Sequence, residues 1–282
     1  ADPFAFNITR YETYFSERRP FFTQGNEIFM PSGREQNTGF YRPLELFYSR
    51  RIGKRLPDGS DVPLQLGTKA FGRVDNWEYG GFLASTGARD YVTDGVKSTE
   101  GRALFGSVRL KRQVLENSSI GVLFVGKHDA NQNNGVIDID GAFRASDWQL
   151  SYQLARSFKD QQGDFAASSG LVMAKDNMMV LVRGRYVGQD FDVEQVGYVP
   201  WIGTAELTGL GGPRWYFKDG YVTQILLMAG FSLNHKEVET YTDQSGVLVF
   251  NMQFRTSWGF ELDFIAGRSK DQGIKYDSYE LD

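Results

Sequence analysis

Cysteine is absent from all 282 residues, and histidine occurs only twice, as His128 and His235. The first absence excludes a disulfide framework, thiol catalysis and cysteine-ligated zinc. The second leaves few ligands for a histidine metal site. A long hydrophobic run is missing too: no stretch approaches the roughly 18 to 20 apolar residues that a spanning helix needs, so a helical membrane protein is excluded. An excess of basic charge is lacking as well. The 31 Lys and Arg residues face 35 Asp and Glu residues, for a net charge of −4, which argues against a nucleic-acid partner.

None of these absences excludes a membrane β-protein. Only every second residue of a barrel strand faces lipid, so a chain with 41% apolar residues and a mean hydropathy of −0.40 still qualifies. Freedom from cysteine suits an exported bacterial protein. The start, Ala1-Asp2-Pro3-Phe4, has no signal-peptide features, so an exported protein is read here in mature or trimmed form.

What the chain does have is alternation. Leu248, Phe250, Met252 and Phe254 share one side of a stretch whose other side carries Asn251, Gln253 and Arg255. Beyond Thr256-Ser257 the pattern resumes, with Trp258, Phe260, Leu262 and Phe264 opposing Glu261 and Asp263. Trp148, Leu150, Tyr152 and Leu154 likewise oppose Gln149, Ser151 and Gln153. Alternation at period two is the mark of a strand with two unlike faces. Met179 and Leu181 sharing a side with Arg183 and Arg185 is a weaker instance.

Six hairpins follow from this pattern. They pair residues 64–74 with 77–87, 104–114 with 119–128, 135–145 with 148–158, 164–174 with 178–188, 208–218 with 221–234, and the two halves of 247–267. Asp219-Gly220 closes the fifth, because both residue types tolerate positive φ. Longer polar connections are predicted at 88–103, 129–134, 159–163, 189–207 and 235–246. Short and long connections in strict alternation predict up-and-down order, and ten-residue strands suit a hydrocarbon slab. Trp77, Trp148, Phe158, Tyr221 and Trp258 fall near strand ends, where interfacial aromatic girdles lie.

The fold expected is therefore all-β: an up-and-down antiparallel transmembrane β-barrel with at least twelve strands in this chain, open to being part of a larger one. Residues 1–60 stand apart as a barrel-entering or plug-like segment, since Pro20, Pro31, Pro43 and Pro57 interrupt any long ladder, and residues 61–282 supply strands and loops.

The opening motifs carry a resemblance. Asn7-Ile8-Thr9-Arg10-Tyr11-Glu12, Glu17-Arg18-Arg19-Pro20-Phe21-Phe22 with Gly25 and Phe29, and Leu46-Phe47-Tyr48-Ser49-Arg50-Arg51-Ile52-Gly53 resemble the start of a bacterial outer-membrane barrel family of unknown function. Asn134-Gly135-Val136-Ile137-Asp138 and Gly197-Tyr198-Val199 are similar to its later motifs. Members commonly follow a module similar to family-nine carbohydrate-binding domains. The resemblance implies location and fold, not a reaction. Gln24 departs from an acidic residue in that pattern, and the ending Tyr279-Glu280-Leu281-Asp282 departs from a terminal strand with a final aromatic, so a fragment or cleaved half is expected.

Candidate chemistry is sparse. His128 and His235 read as solvated rim residues, and neither belongs to a motif that would assemble a serine triad. Asp129, Asn131, Asn133 and Asp140 echo a calcium loop, but Asn134 stands where that loop needs glycine. Gly209-Leu210-Gly211-Gly212-Pro213 precedes a strand and not a helix, which removes a phosphate cradle. Arg18, Arg19, Arg50 and Arg51 are lumen or plug candidates, together with Gln253, Arg255, Glu261 and Asp263. Rings of charged side chains set pore selectivity; lumenal arginines also pair with carboxylates such as Glu17 or Glu45 to hold a plug, and that structural role is favoured.

Three functions stay open. The first is a channel, transport or secretion barrel with a polar lumen in the bacterial outer membrane. The second is a membrane-anchored surface protein that binds glycan, and the third a barrel-embedded hydrolase. No enzyme activity and no cofactor are expected. The expected partners are outer-membrane lipid, a carbohydrate or small polar solute, and an additional chain or segment completing the barrel.

Overall fold

The computed structural model describes residues 14–34 and 40–281. Two single-turn helices, α1 (Pro20–Thr23) and α2 (Asn26–Phe29), and a 3₁₀ turn at Ser49–Arg51 come first. Fifteen strands follow: β1 (Leu64–Val74), β2 (Trp77–Thr86), β3 (Arg89–Thr93), β4 (Val96–Glu100), β5 (Ala103–Val114), β6 (Ser118–Asp129), β7 (Asn133–Arg144), β8 (Trp148–Lys159), β9 (Phe165–Lys175), β10 (Met178–Val187), β11 (Thr204–Tyr216), β12 (Val222–Lys236), β13 (Tyr241–Phe254), β14 (Gly259–Asp271) and β15 (Ile274–Leu281).

Thirteen of these form one antiparallel sheet in chain order, and β3 with β4 makes a separate hairpin in the β2–β5 connection. Up-and-down order holds, as the alternation predicts. Closure into a barrel does not: β1 pairs only with β2 and β15 only with β14, so the described sheet has two free edges. The loop lengths also differ from expectation. Of the predicted longer connections, 87–102 and 188–203 remain long and 160–164 keeps its five residues, whereas β12 and β13 extend to 15 and 14 residues and shrink their junction to four residues, 237–240. Paired backbone groups stabilise that extension where a polar loop was expected.

Three strands, β3, β4 and β15, escape the hairpin count altogether. The β3–β4 hairpin turns on Asp94-Gly95, with φ of 51° and 78°, and β14–β15 turns on Gln272-Gly273, with φ of 49° and 84°. Both are two-residue turns with positive φ at each central position, the geometry whose twist matches antiparallel strands.

The two faces of the sheet have opposite character. On one face of β5 to β9 lie Ser107, Arg109, Lys111, Lys127, Asn134, Asp138, Asp140, Ser151, Gln153, Ser157 and Ser168, all buried. The other face carries Leu104, Val108, Leu110, Ile120, Val122, Phe124, Ile137, Ile139 and Leu154, all exposed, with Ile139 at 52% and Leu154 at 58%. Polar groups inside and apolar groups outside invert the arrangement of a water-soluble sheet.

The polar face is buried because the segment that precedes β1, with the 188–203 loop, covers it. Phe22, Phe29, Leu44, Leu46 and Ile52 from this segment, with Phe191, Val193 and Val196 from the 188–203 loop, share one apolar cluster with Phe82, Phe105, Leu123, Val125 and Val136 of the sheet. Fully burying one such side chain contributes roughly 1.5–3 kcal/mol. Five of them make the segment a packed part of the structure. A second, smaller cluster joins Leu181, Leu226, Met228 and Val249 with Phe40 packed against it.

Candidate functional site

The covering segment and the polar face meet in a network of buried charge. Arg109 on β5 and Asp140 on β7 are two strands apart, and the intervening Leu123 of β6 lies in register with Arg109. The guanidinium meets both carboxylate oxygens of Asp140, with Nη2 to Oδ1 at 2.9 Å. Arg109 also donates to the carbonyls of Ile28 and Met30, and Asp140 accepts the Ser32 amide at 2.7 Å. One ion pair therefore stitches two strands and the segment together. An uncompensated charge at this depth would be costly.

Farther along the segment, Leu44 is held by backbone mimicry. Gln153 of β8 accepts the Leu44 amide at 2.7 Å and donates to the Leu44 carbonyl and to Asp138. A carboxamide thus replaces the strand neighbour that Leu44 lacks. Ser168 on β9 donates to the Arg42 carbonyl at 2.7 Å, and Lys69 on β1 donates to that of Gln24 at 2.6 Å. Burial, then the negative charges of Asp138 and Asp140, pushes the Tyr41 hydroxyl well above its usual range.

The four N-terminal arginine candidates belong to the segment's own scaffold. Arg19 binds Glu17 through Nε at 3.0 Å and Nη2 at 2.7 Å, donates to the carbonyls of Ser49 and Ile52, and lies over the Phe22 ring. The Glu17 carboxylate in turn accepts the Arg18 and Arg19 amides and the Ser49 hydroxyl. Burial alone would raise the Glu17 carboxyl; hydrogen bonds from Arg19 and Ser49, with the guanidinium charge, outweigh it and hold it at about 2. Arg50 donates twice to the Ser16 carbonyl, and Arg51 donates to Gly197 in the 188–203 loop. The side chains of Arg19, Arg50 and Arg51 thus reach back to main chain, while Arg18 is exposed and joins the scaffold through its amide.

The four C-terminal candidates sit elsewhere. Gln253, Glu261 and Asp263 share the polar face at β13 and β14, and Asn251 donates to Glu261 at 2.7 Å. Gln253 and Glu261 are exposed, unlike their counterparts on β5 to β9. Arg255 lies in the β13–β14 turn and donates to the carbonyls of Phe217, Lys218 and Gly220, which ties two adjacent turns. The structure does not bring the two groups of candidates together.

Sequence reading passed over Arg109 and named Asp138, Asp140 and Gln153 only as parts of a motif, a calcium-loop echo and an alternating strand, not as a buried network. Each stands inside an alternating strand, as in Val108-Arg109-Leu110-Lys111, so a charged position flanked by exposed apolar ones was the available signal. His128 and His235 meet Asn133 and Thr242 on the neighbouring strand at 2.6 and 3.0 Å. Among the described residues no three His, Asp or Glu side chains gather as a metal site. At the loop rim, a cavity of about 500 Å³ lies between Arg51, Lys159, Asp192, Glu194, Tyr198 and Pro200.

The covering segment is also where similarity to known sequences falls. Residues 1–68 match the model of a domain of unknown function, DUF5916. The match spans the covering segment and the first strand residues, including the Arg-Arg-Pro-Phe-Phe and Tyr-Ser-Arg-Arg-Ile-Gly motifs. It agrees with a family of unknown function and says nothing of a membrane or a carbohydrate-binding module. Curated proteins and solved structures give no match.

Proposed function

We propose that this chain forms the wall of a bacterial outer-membrane β-barrel that passes a small polar solute along its interior. One observation carries the reading: the sheet turns buried Arg109, Lys111, Asp138, Asp140 and Gln153 to one side and exposed Leu, Ile, Val and Phe to the other. In water an apolar face spanning so many strands would promote association. In a bilayer it is the lipid contact, and the strands from β1 to β14 in the sheet, of 10 to 15 residues, are long enough for the slab.

Two further features support it. Trp77, Trp148, Trp215, Tyr221 and Trp258 all lie at the tight-turn rim, as an interfacial girdle would. The covered part, β2 to β10, is filled by packed side chains, whereas exposed Gln253 and Glu261 and half-buried Asp263 on β13 and β14 form a polar wall that the described residues of the segment do not cover. Solute passage belongs to that bare wall. Its acidic side chains favour cations or hydroxyl-rich neutral solutes.

Conductance across a planar bilayer tests this. A steady conductance with cation preference is expected, and Glu261→Gln with Asp263→Asn reduces the preference. A sealed membrane with the protein inserted would overturn it.

The glycan-binding reading has one observation behind it: the rim cavity offers the Tyr198 ring beside Lys159, Asp192 and Glu194, a mixture of ring face and polar groups that suits sugars. Titration with outer-membrane oligosaccharide, with Tyr198→Ala as control, separates this reading from passage.

A further inference from the structure

We infer that Arg42 of the covering segment and Arg183 of β10 form an oxyanion subsite on the covered side of the sheet, which takes the carboxylate or phosphate group of a solute. The inference rests on the reading that this side faces a water-filled interior.

The segment brings the two side chains together. Ser168 of β9 holds the Arg42 carbonyl at 2.7 Å, and Arg183 donates to the Phe40 carbonyl at 3.5 Å, with its guanidinium 5.1 Å from the centre of the Phe40 ring. Gly170 of β9, in register with Arg183, leaves room for this approach, since a Cβ there would meet Tyr41 at 2.9 Å.

Positive charge is in excess at this place. Arg42, Arg183 and Arg185 act on one carboxylate, Glu206, and Glu206 is committed to Arg185 at 2.6 Å across the β10–β11 pair. Arg42 and Arg183 have no carboxylate partner among the described residues, and their charges repel one another. Arg183 is half-buried, and its Nε is buried without an acceptor. Like charges held together with unfilled donors are unfavourable until an anion joins them.

No neighbouring element supplies that anion. In register with Arg183 stand Gly170 on β9 and Thr208 on β11, whose hydroxyl meets that of Ser232 at 3.0 Å. Leu181, two residues away on the same face, belongs to the smaller apolar cluster. The cluster continues to Val249 of β13, in register with Asp263 of β14, and so separates the arginines from the acidic wall. An anionic group is held here away from the carboxylates that would repel it.

The chemistry of the ligand follows from the donors. A guanidinium presents a planar fork of N–H groups that matches the paired oxygens of a carboxylate or phosphate, which chloride does not offer. The exposed side chain of Arg42 keeps the subsite open to solutes.

Arginine side-chain NMR of the full chain in detergent micelles tests the inference, with inorganic phosphate and acetate as probes and sodium chloride at matched ionic strength as the control for screening. Saturable shifts are expected at Arg42 and Arg183, and none at exposed Arg73, which pairs with Glu78. Arg42→Gln, a change outside the sheet, is expected to weaken oxyanion binding about tenfold or more. Arg183→Lys, which keeps the charge and loses the fork, weakens it as well. Shifts that chloride reproduces, equal shifts at Arg73, or unchanged affinity in Arg42→Gln would overturn the inference. Planar-bilayer conductance keeps the two layers of argument apart: a sealed bilayer with saturable shifts ends solute passage alone, whereas steady conductance with silent arginines ends the subsite alone.

Discussion

Arg109 and Asp140, on β5 and β7, form an ion pair whose side chains are both 0% exposed, and the same two side chains hold the backbone of residues 28 to 32. The pair is at once a strand-to-strand tie and the anchor of the covering segment.

Removing one partner leaves the other charge buried and alone. Arg109→Met is expected to cost about 3–5 kcal/mol, and Asp140→Leu a similar amount, while the double variant costs less than either single one. Chemical unfolding in detergent micelles measures the three. Equal or greater loss in the double variant would show that the charges matter less than the shape they fill.

The Glu17 lock predicts an acid-sensitive segment. Its folded carboxyl titrates at about 2 against 4.5 for the free group, so the unfolded state binds protons first as the pH falls. The stabilisation is present above about 4.5 and fades as pH drops through that interval toward 2. Protease cleavage of residues 14–52 should rise across this window in the wild-type chain. In Glu17→Gln the rise should flatten, with cleavage already higher at neutral pH.

The bare face gives the most direct test of its solvent. Ile139→Arg or Leu154→Lys should destabilise the protein in phospholipid vesicles by about 2–4 kcal/mol if these positions sit near the bilayer midplane. Guanidinium unfolding from vesicles measures the change. A charge tolerated at no cost at both positions would mean that water, not lipid, faces them.

Gly53 closes the Arg50-Arg51-Ile52-Gly53 motif with φ of 68°, and a Cβ there would meet the Val62 carbonyl at 3.1 Å. Gly53→Ala should therefore cost at least about 1–2 kcal/mol, from the left-handed conformation alone. The expected readout is a lower melting temperature together with looser packing of Ile52, seen as broadened methyl resonances.

Strand content and order were legible because a strand's two faces alternate residue by residue. All six predicted hairpins appear, with ends displaced by a few residues, and Trp148 to Leu154 divide between the faces as their alternation indicates. The small hairpin at Asp94-Gly95 was equally visible in type, since Asp-Gly is a hairpin turn, but it lay inside a stretch read as loop. The extent of β12 and β13 was hidden by their polar ends. His235, Lys236, Thr242 and Asp243 look like loop residues until they pair across strands.

The candidate site divides in the same way. Arginines beside aromatics in residues 18–22 and 46–53 marked a segment with its own internal order, and Arg19 with Glu17 is part of that order. That Arg109 finds Asp140, or that Gln153 supplies a strand-like partner to Leu44, was not readable, because these contacts join residues 31 and 109 apart.

By itself the sequence determined that this chain is extended, antiparallel in chain order and unlike on its two faces, since period-two patterning is a local property of neighbouring residues. Only the tertiary structure decided which face is covered and by what, which buried charges meet, and that the ends of the sheet stay apart. Those outcomes depend on register and on contacts between distant segments, and no local pattern encodes them.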